Sequence, residues 1–448
     1  MNNNIKRKIY NCFIFLFIAI SLPVQAKPEK ILYLDDAISL ALAYSPIVEV
    51  SRLQRVVDKF SLRLAHNQFE PQYSLGIVGG KKDSGSNYLI NPAVSWKSEF
   101  GLGAVFNASF DDFNNNASLT MELPLLRGSG DINRIPLDNA NDQDEINRLS
   151  YRDSVASVID QVQEQYFNVL SLQKQQDVIK LSITSSENTL TEYKLKVAAG
   201  DMPKSNIAQQ EANITSSKLQ LETNIFQLQA AYRKLMLMIG LNPNSNYKID
   251  ADFEPEIDVL PTIDASIVKA KEGNYNYRQS IVSLRSLERT LYQAQDDARV
   301  KLNLNGTVDT NGDNVVSLTA SVPINDMTLD YNIVAAKTSL EQAKINLKQA
   351  EYDLIANTTN LIEDLNTKAK QIKLAKVNVS YAKQNYENSK TSNLYGKSSA
   401  YEVVSQMQKY LQSEIDLINY KISFYTTYAK LNKFLGLTLK RWQVKLVM

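Results

Sequence analysis

His66 is the single imidazole of the 448-residue chain, and Cys12 is its single thiol. A zinc centre needs three or four ligands drawn from His, Cys and carboxylates, and a nucleophilic triad needs a base beside its nucleophile. Neither set can be built from these two residues, and no glycine-rich phosphate loop occurs. Catalysis, a cofactor and a metal are therefore not expected. The spacing with chemical content is Ser399 and Glu402, three apart behind Gly396-Lys397-Ser398. That pattern fits a capping box, in which a serine oxygen takes the N–H of the third helical residue. Glu402 either serves only the cap or also presents a carboxylate at a chain reversal. The elements that carry it decide between the two.

The first 26 residues read as a secretory signal peptide. Lys6, Arg7 and Lys8 form a basic start, Ile9 to Leu22 is mostly apolar, and Val24-Gln25-Ala26 is a small-residue cleavage site. An uncleaved anchor is the alternative. Cleavage removes Cys12 and three positive charges, leaving 46 basic and 48 acidic side chains, a net charge of −2. Disulfides, thiolate chemistry and an N-terminal lipid anchor are then excluded, and the charge is not that of a nucleic-acid binder. After the signal no apolar run approaches about 18 residues, so any membrane span must be made of strands.

The chain repeats its own plan. Gly200 and Gly396 are 196 positions apart, as are Gly240 and Gly436. Leu123-Pro124 matches Val322-Pro323, and Asn67 to Leu75 matches Asp296 to Leu304. Such a period signals repeat architecture. The first repeat covers 27–248 and the second 249–448. Each reads as an opening helix, short strands, a very long helix, a turn and a return helix. The opening helices are expected from Asp35 to about Gln68 and over 264–299. The long helices are expected over about 131–199 and 324–395, and the return helices over 204–240 and 397–436.

Glycine and proline are both missing from Leu137 to Ala199 and from Ile324 to Tyr395. As unbroken helices these stretches would be roughly 95 and 108 Å long, and helices of that length need neighbours throughout. Leu340, Leu347, Leu354 and Leu361 recur every seven residues. The phase then slips by four to Leu365 and continues through Ile372, Val379 and Tyr386, which unwinds a supercoil locally. An ordinary amphipathic helix is the plainer alternative. In each repeat the opening and return helices together about match the long one, so they are expected to stack beside it.

Strands fall between the opening and long helices, over about 72–124 and 302–323. Leu302 to Asp309 and Val315 to Val322 flank Asn311-Gly312, a hairpin signal, and Asn303, Asn305 and Thr307 alternate with Leu302, Leu304 and Val308. Tyr73 to Val78 and Ala117 to Leu123 are the counterparts. Between them Ala93 to Lys97 and Leu102 to Phe110 are also strand-like, within an insertion of about thirty residues whose role the sequence leaves open. Phe100, Phe106, Phe110 and Phe113 fit either a membrane-interface belt or packing in an extracellular insertion. Four short strands cannot close a barrel, and open edges cannot face lipid, so several copies must contribute.

The layout resembles the TolC family of outer-membrane efflux and secretion channels. The likeness runs from about Leu34 to Leu437. It rests on the duplicated order, Ala37-Ile38 through Ser45-Pro46, Gln165-Tyr166-Phe167-Asn168-Val169-Leu170 and the paired turns at Gly200 and Gly396. Leu123-Pro124-Leu125-Leu126-Arg127-Gly128 is similar to the strand exit of one branch. The resemblance implies a mostly α fold in which long coiled-coil helices form an α-barrel. It implies four strands per protomer, joined in a homotrimer as a twelve-stranded β-barrel in outer-membrane lipid, with the helices in the periplasm. It further implies a passive exit duct of a tripartite efflux pump or type I secretion system. A periplasmic adaptor and an inner-membrane pump of RND, ABC or MFS type would open its periplasmic tip.

On that resemblance, Gly200, Asp201, Gly396 and Lys397 form the tip turns where an adaptor docks. Glu402, Ser405, Ser398, Ser399, Tyr401, Tyr395, Ser205 and Asn206 line the gate. Glu402 matches one of the family's acidic positions, whereas Ser405, Ser398 and Asn206 stand where charged residues are usual. The gate is thus expected to be less negative, with closure leaning on Tyr395, Tyr401 and hydrogen bonds. A structural periplasmic coiled-coil spacer without a channel is the competing reading. It accounts for the heptads but not for the strands.

Overall fold

In the computed structural model, which describes residues 30–82, 85–111, 115–245, 247–249, 255 and 260–446, two long helices set the frame. The expected signal peptide and Phe113 lie outside the described residues. Helices α3 (Ile135–Ala198) and α7 (Met327–Leu394) have 64 and 68 residues, about 96 and 102 Å at 1.5 Å per residue. Beside α3 lie α2 (Pro46–Asn67) and α4 (Ser205–Met238); beside α7 lie α6 (Tyr275–Asp297) and α8 (Ala400–Phe434). The stacking of two shorter helices along one long one is the arrangement expected. Where the two repeats meet, α3 packs on α8, and Phe167 stacks on Tyr425 with ring centroids 4.7 Å apart.

The opening helices differ from expectation, because each is broken once. Helix α1 (Leu34–Tyr44) ends before α2 at Ser45, which takes φ −67° and ψ 126°. Pro46 forces this, since its ring disfavours the helical region for the residue before it. In the second repeat α5 (Ile263–Gly273) and α6 are separated at Asn274, also extended, whose side chain accepts from the Tyr277 N–H to start the new helix. The long helices also begin a little later than expected. Gly130–Arg134 is a short 3-10 turn before α3, and Asn325 at φ 55° precedes the α7 cap, where Asp326 accepts from the Thr328 N–H at 3.0 Å.

Each break meets the end of its return helix. A Cβ on Gly240 would lie 2.6 Å from Tyr44 Cβ, and one on Gly436 would lie 2.5 Å from the Gly273 carbonyl oxygen. Only glycine permits so close an approach. Above these crossings lie the two largest apolar clusters, one around Ile159, Tyr166, Leu170 and Leu235, the other around Leu354, Leu365, Ile372 and Leu431. The slipped heptad seam is visible in part in burial. Leu340, Leu354, Leu365, Ile372 and Tyr386 are buried, whereas Leu347, Leu361 and Val379 are only half-buried. Near the slip Ile362 is buried in place of Leu361, because a straight helix turns the heptad position away from its neighbour, and the fully buried Thr358 donates to the Leu354 carbonyl at 2.7 Å. Parallel strands β1 (Lys30–Leu32) and β6 (Tyr247–Ile249), which the sequence did not announce, close the first cluster, and the Tyr166 hydroxyl donates to the Leu32 carbonyl.

Three arginines of α6 clamp α3. Arg278 and Arg285 bind Glu145 at 2.5 and 2.7 Å, and Arg289 binds Asp142. The hydrogen bond from Arg285 is the main influence holding the Glu145 carboxyl below its ordinary range. On the neighbouring face of α3, buried Arg55 of α2 meets Asp144 at 2.5 Å.

The remaining strands form one antiparallel sheet in the order β2 (Gln72–Lys82), β3 (Gly85–Lys97), β4 (Gly103–Asp111), β5 (Asn115–Pro124), β7 (Lys301–Asp309) and β8 (Asn314–Ser321). Among the described residues the sheet therefore has six strands where four were expected. Strands β2 and β5 are the counterparts of β7 and β8, and the insertion supplies β3 and β4 between them. Its strand-like stretches pair with each other and with both neighbours, Val94 facing Tyr73 on one side and Phe106 on the other. Unpaired strands would leave a full row of backbone donors and acceptors unsatisfied, so two extra strands join the ladder.

Candidate functional site

The far ends of α3 and α7 carry the two tip turns. At each, a glycine takes the left-handed conformation, with φ 81° at Gly200 and 70° at Gly396. The Asp201 N–H then donates to the Lys196 carbonyl, and the Lys397 N–H to the Ser392 carbonyl, both at 2.9 Å. This six-residue closure satisfies carbonyls that a helix end leaves unpaired. A Cβ at either glycine would meet nothing within 4 Å, so both turns stand open.

The second turn is the more strongly built. Ser399 accepts from the Glu402 N–H at 3.2 Å, the backbone half of the expected capping box. Its other half is altered. The Glu402 carboxylate accepts from the Ser398 hydroxyl at 3.2 Å. Ser398, Ser399 and Glu402 are thus brought together, while Ser405 lies one turn further along α8. Tyr395 and Tyr401 are 76% and 71% exposed. In the first turn Ser205 opens α4 and Asn206 follows it, and α4 starts with no side-chain cap. Asp201 and Lys397 are exposed beside their glycines.

Two residues that the sequence reading passed over tie the turns together. The Asn393 amide donates to the Ser398 carbonyl at 2.7 Å, and the Asn393 carbonyl accepts from the Lys196 ammonium at 3.1 Å. Their place just before each tip glycine was the available signal. Behind the tip, Tyr386 stacks on Tyr410 with centroids 6.2 Å apart and its hydroxyl shares a 2.8 Å hydrogen bond with Ser185. Tyr193 is buried, which raises its hydroxyl to about 12, and it stays neutral at ordinary pH.

The other end of the molecule is the sheet. Among the described residues, no helix is long and apolar enough to cross a membrane and no cluster of metal-ligating side chains occurs.

Comparison with known proteins agrees. The family model of the outer membrane efflux protein matches residues 37–241 and 290–437. No curated protein matches at a significant level. Among solved structures, the chain is similar to the CmeC outer membrane channel of Campylobacter jejuni, with a TM-score of 0.69 and 16% identity over 90% of this chain and 86% of that one. The outer membrane protein VceC of Vibrio cholerae gives 0.67 and 12% over 90% and 96%. The open MtrE outer membrane channel of Neisseria gonorrhoeae gives 0.69 and 15% over 90% and 89%. With a duplicated helical frame, an antiparallel sheet at one end and this match over most of its length, the chain belongs to the outer membrane efflux protein family and is an efflux duct of the outer membrane.

Proposed function

We propose that three copies of the chain join their sheets into one ring in the outer membrane and their helices into one periplasmic tube. The duct is passive. An inner-membrane pump supplies the energy, in a tripartite efflux pump or a type I secretion system, and a periplasmic adaptor engages the turns at Gly200-Asp201 and Gly396-Lys397. The observation that carries this reading is the pairing of a sheet that has two free edges with open turns some 96 Å away along α3. A periplasmic spacer would have no use for the sheet.

Threefold symmetry repeats each tip side chain around the axis. Glu402 would then form a ring of three carboxylates, and such rings favour cations. Tyr395 and Tyr401, exposed in one chain, would narrow the same opening, with Asn393 and Lys196 holding the turns in register. Glu402→Gln tests this. In planar bilayers under a salt gradient, the variant's reversal potential is expected to move toward zero, and an unchanged potential would remove Glu402 from the gate.

A further inference from the structure

The insertion of the first repeat is patterned for a membrane wall. Ladder pairs place Tyr73, Val94, Phe106, Leu119 and Val308 on one rung across five strands. The next rung, on the opposite face, runs Ser74, Ala93, Asn107, Ser118 and Asp309. Side chains alternate along a strand, so one face is apolar and the other mostly polar or small, with Val78, Leu89, Val105 and Val315 as its larger apolar members. That alternation passes through β3 and β4 without a change of phase. On the apolar face Ile90, Phe106 and Phe110 remain 42%, 41% and 45% exposed, although their strands are paired on both sides. A water-exposed ornament outside the membrane would gain nothing from this pattern, whereas a lipid-facing wall requires it.

The inner turn of the hairpin is also built in. Gly101, at φ 97°, sits where a Cβ would lie 2.6 Å from Asn133 Nδ2 and 2.8 Å from the Gly128 carbonyl oxygen. The Phe100 carbonyl accepts from the Gly130 N–H at 3.1 Å, and Glu99 pairs with Arg134 at 3.4 Å. The exit Leu125-Leu126-Arg127-Gly128-Ser129-Gly130 thus seats this turn. It is in turn held to α6, where Asp296 accepts from the Gly128 N–H and Asp297 pairs with Arg127.

We propose that all six strands of each copy lie in the membrane wall, and that β8 of one copy pairs antiparallel with β2 of the next. On the trimeric reading above, on which this rests, the ring has eighteen strands rather than twelve. The occupant of the free edges is a second copy for two reasons. Unpaired edges cannot face lipid. An even number of alternating strands also leaves β2 and β8 running in opposite directions, so the joint continues the antiparallel order. Barrel width grows about linearly with strand number, so the ring is about 1.5 times as wide as a twelve-stranded one. Only α2, α3, α6 and α7 reach the sheet in each copy, so the wall flares outward from a twelve-helix tube.

Spin labels on single cysteines in the channel reconstituted in vesicles test the inference. Phe106→Cys and Phe110→Cys sample one face of β4, Asn107→Cys and Ser109→Cys the other, with Leu318→Cys and Ser317→Cys on β8 as reference. Relaxation by oxygen reports lipid, and relaxation by a nickel chelate reports water. The expected result is alternation on β4 in step with β8, oxygen dominating several-fold at 106, 110 and 318 and the chelate at 107, 109 and 317. Uniform access of the chelate along β4, with alternation kept on β8, would overturn the inference and leave the duct standing. Loss of alternation on both strands would overturn both. Electron cryo-microscopy gives the count directly, and twelve strands would refute it.

Discussion

In the second repeat β7 turns directly into β8, and Leu304 faces Leu318. In the first repeat the counterparts, Leu75 in β2 and Leu119 in β5, are held apart by two whole strands. The helices around them barely differ, with long helices of 64 and 68 residues and return helices of 34 and 35. A duplicated unit can therefore add strands to its sheet without rebuilding its helices, provided that the added strands come in an even number. Two strands preserve both the antiparallel order and the apolar face, while one would have inverted the chain's direction into α3. Between the ends of β5 and β8 and the tip glycines the repeat offset drops from 199 to 196, so this stretch of the first repeat is three residues longer than its counterpart.

The sharpest way to break this comparison is at the hairpin turns. Gly101 and Gly312 both have left-handed backbones, at φ 97° and 91°, but only Gly101 is packed against neighbours. Gly312→Ala carries the conformational strain alone, about 1–2 kcal/mol. Gly101→Ala adds overpacking of about 1–3 kcal/mol against Asn133 and Pro124. Thermal unfolding of the folded assembly measures both, and equal losses would mean that the inserted turn is not seated on the exit.

A smaller effect separates the repeats by acid. The clamp between α3 and α6 depends on a Glu145 carboxyl held below its usual value of 4.5. A lowered carboxylate adds stability that is full above the unfolded value and is lost as pH falls through the folded one. Glu145→Gln is therefore expected to lower the melting temperature at pH 7 and to flatten its fall below about pH 4. A parallel acid limb in wild type and variant would remove Glu145 from the clamp.

The smallest difference lies at the tips. Ser399→Ala removes the cap of α8 and is expected to cost about 1 kcal/mol, while Ser205→Ala at the uncapped start of α4 is expected to cost almost nothing. Hydrogen exchange of the first turns of α4 and α8 distinguishes them. Matching protection losses would show that the capping asymmetry has no energetic content.

Much of this was legible in the sequence because the decisive residues punctuate the backbone. Four glycines spaced in two equal pairs announced four helix ends, and all four take positive φ. Runs without glycine or proline announced the long helices, and the leucine spacing announced a seam, though at the slip it pointed to Leu361 where Ile362 is buried. Ser399 and Glu402 announced a cap. What stayed hidden depends on pairing rather than on local pattern. Pro92, opposite Leu75 in the middle of β3, has no N–H to donate, and the β3–β4 ladder passes over Asn91 and Pro92. A proline inside a run argues against a central strand, so only Ala93 to Lys97 read as one. The break at Asn274 lacked a proline to mark it. The link from Lys196 to Asn393 joins residues nearly two hundred positions apart, and no spacing rule reaches that far.

The central claim is that copies of this chain close a ring through the outer membrane, continuous with a hollow helical tube. Conductance of the purified mature protein in a planar bilayer tests it most directly. Discrete ohmic steps with a preference for cations are the predicted result. A folded protein that enters the bilayer poorly, remains a single chain and passes no current would contradict the account.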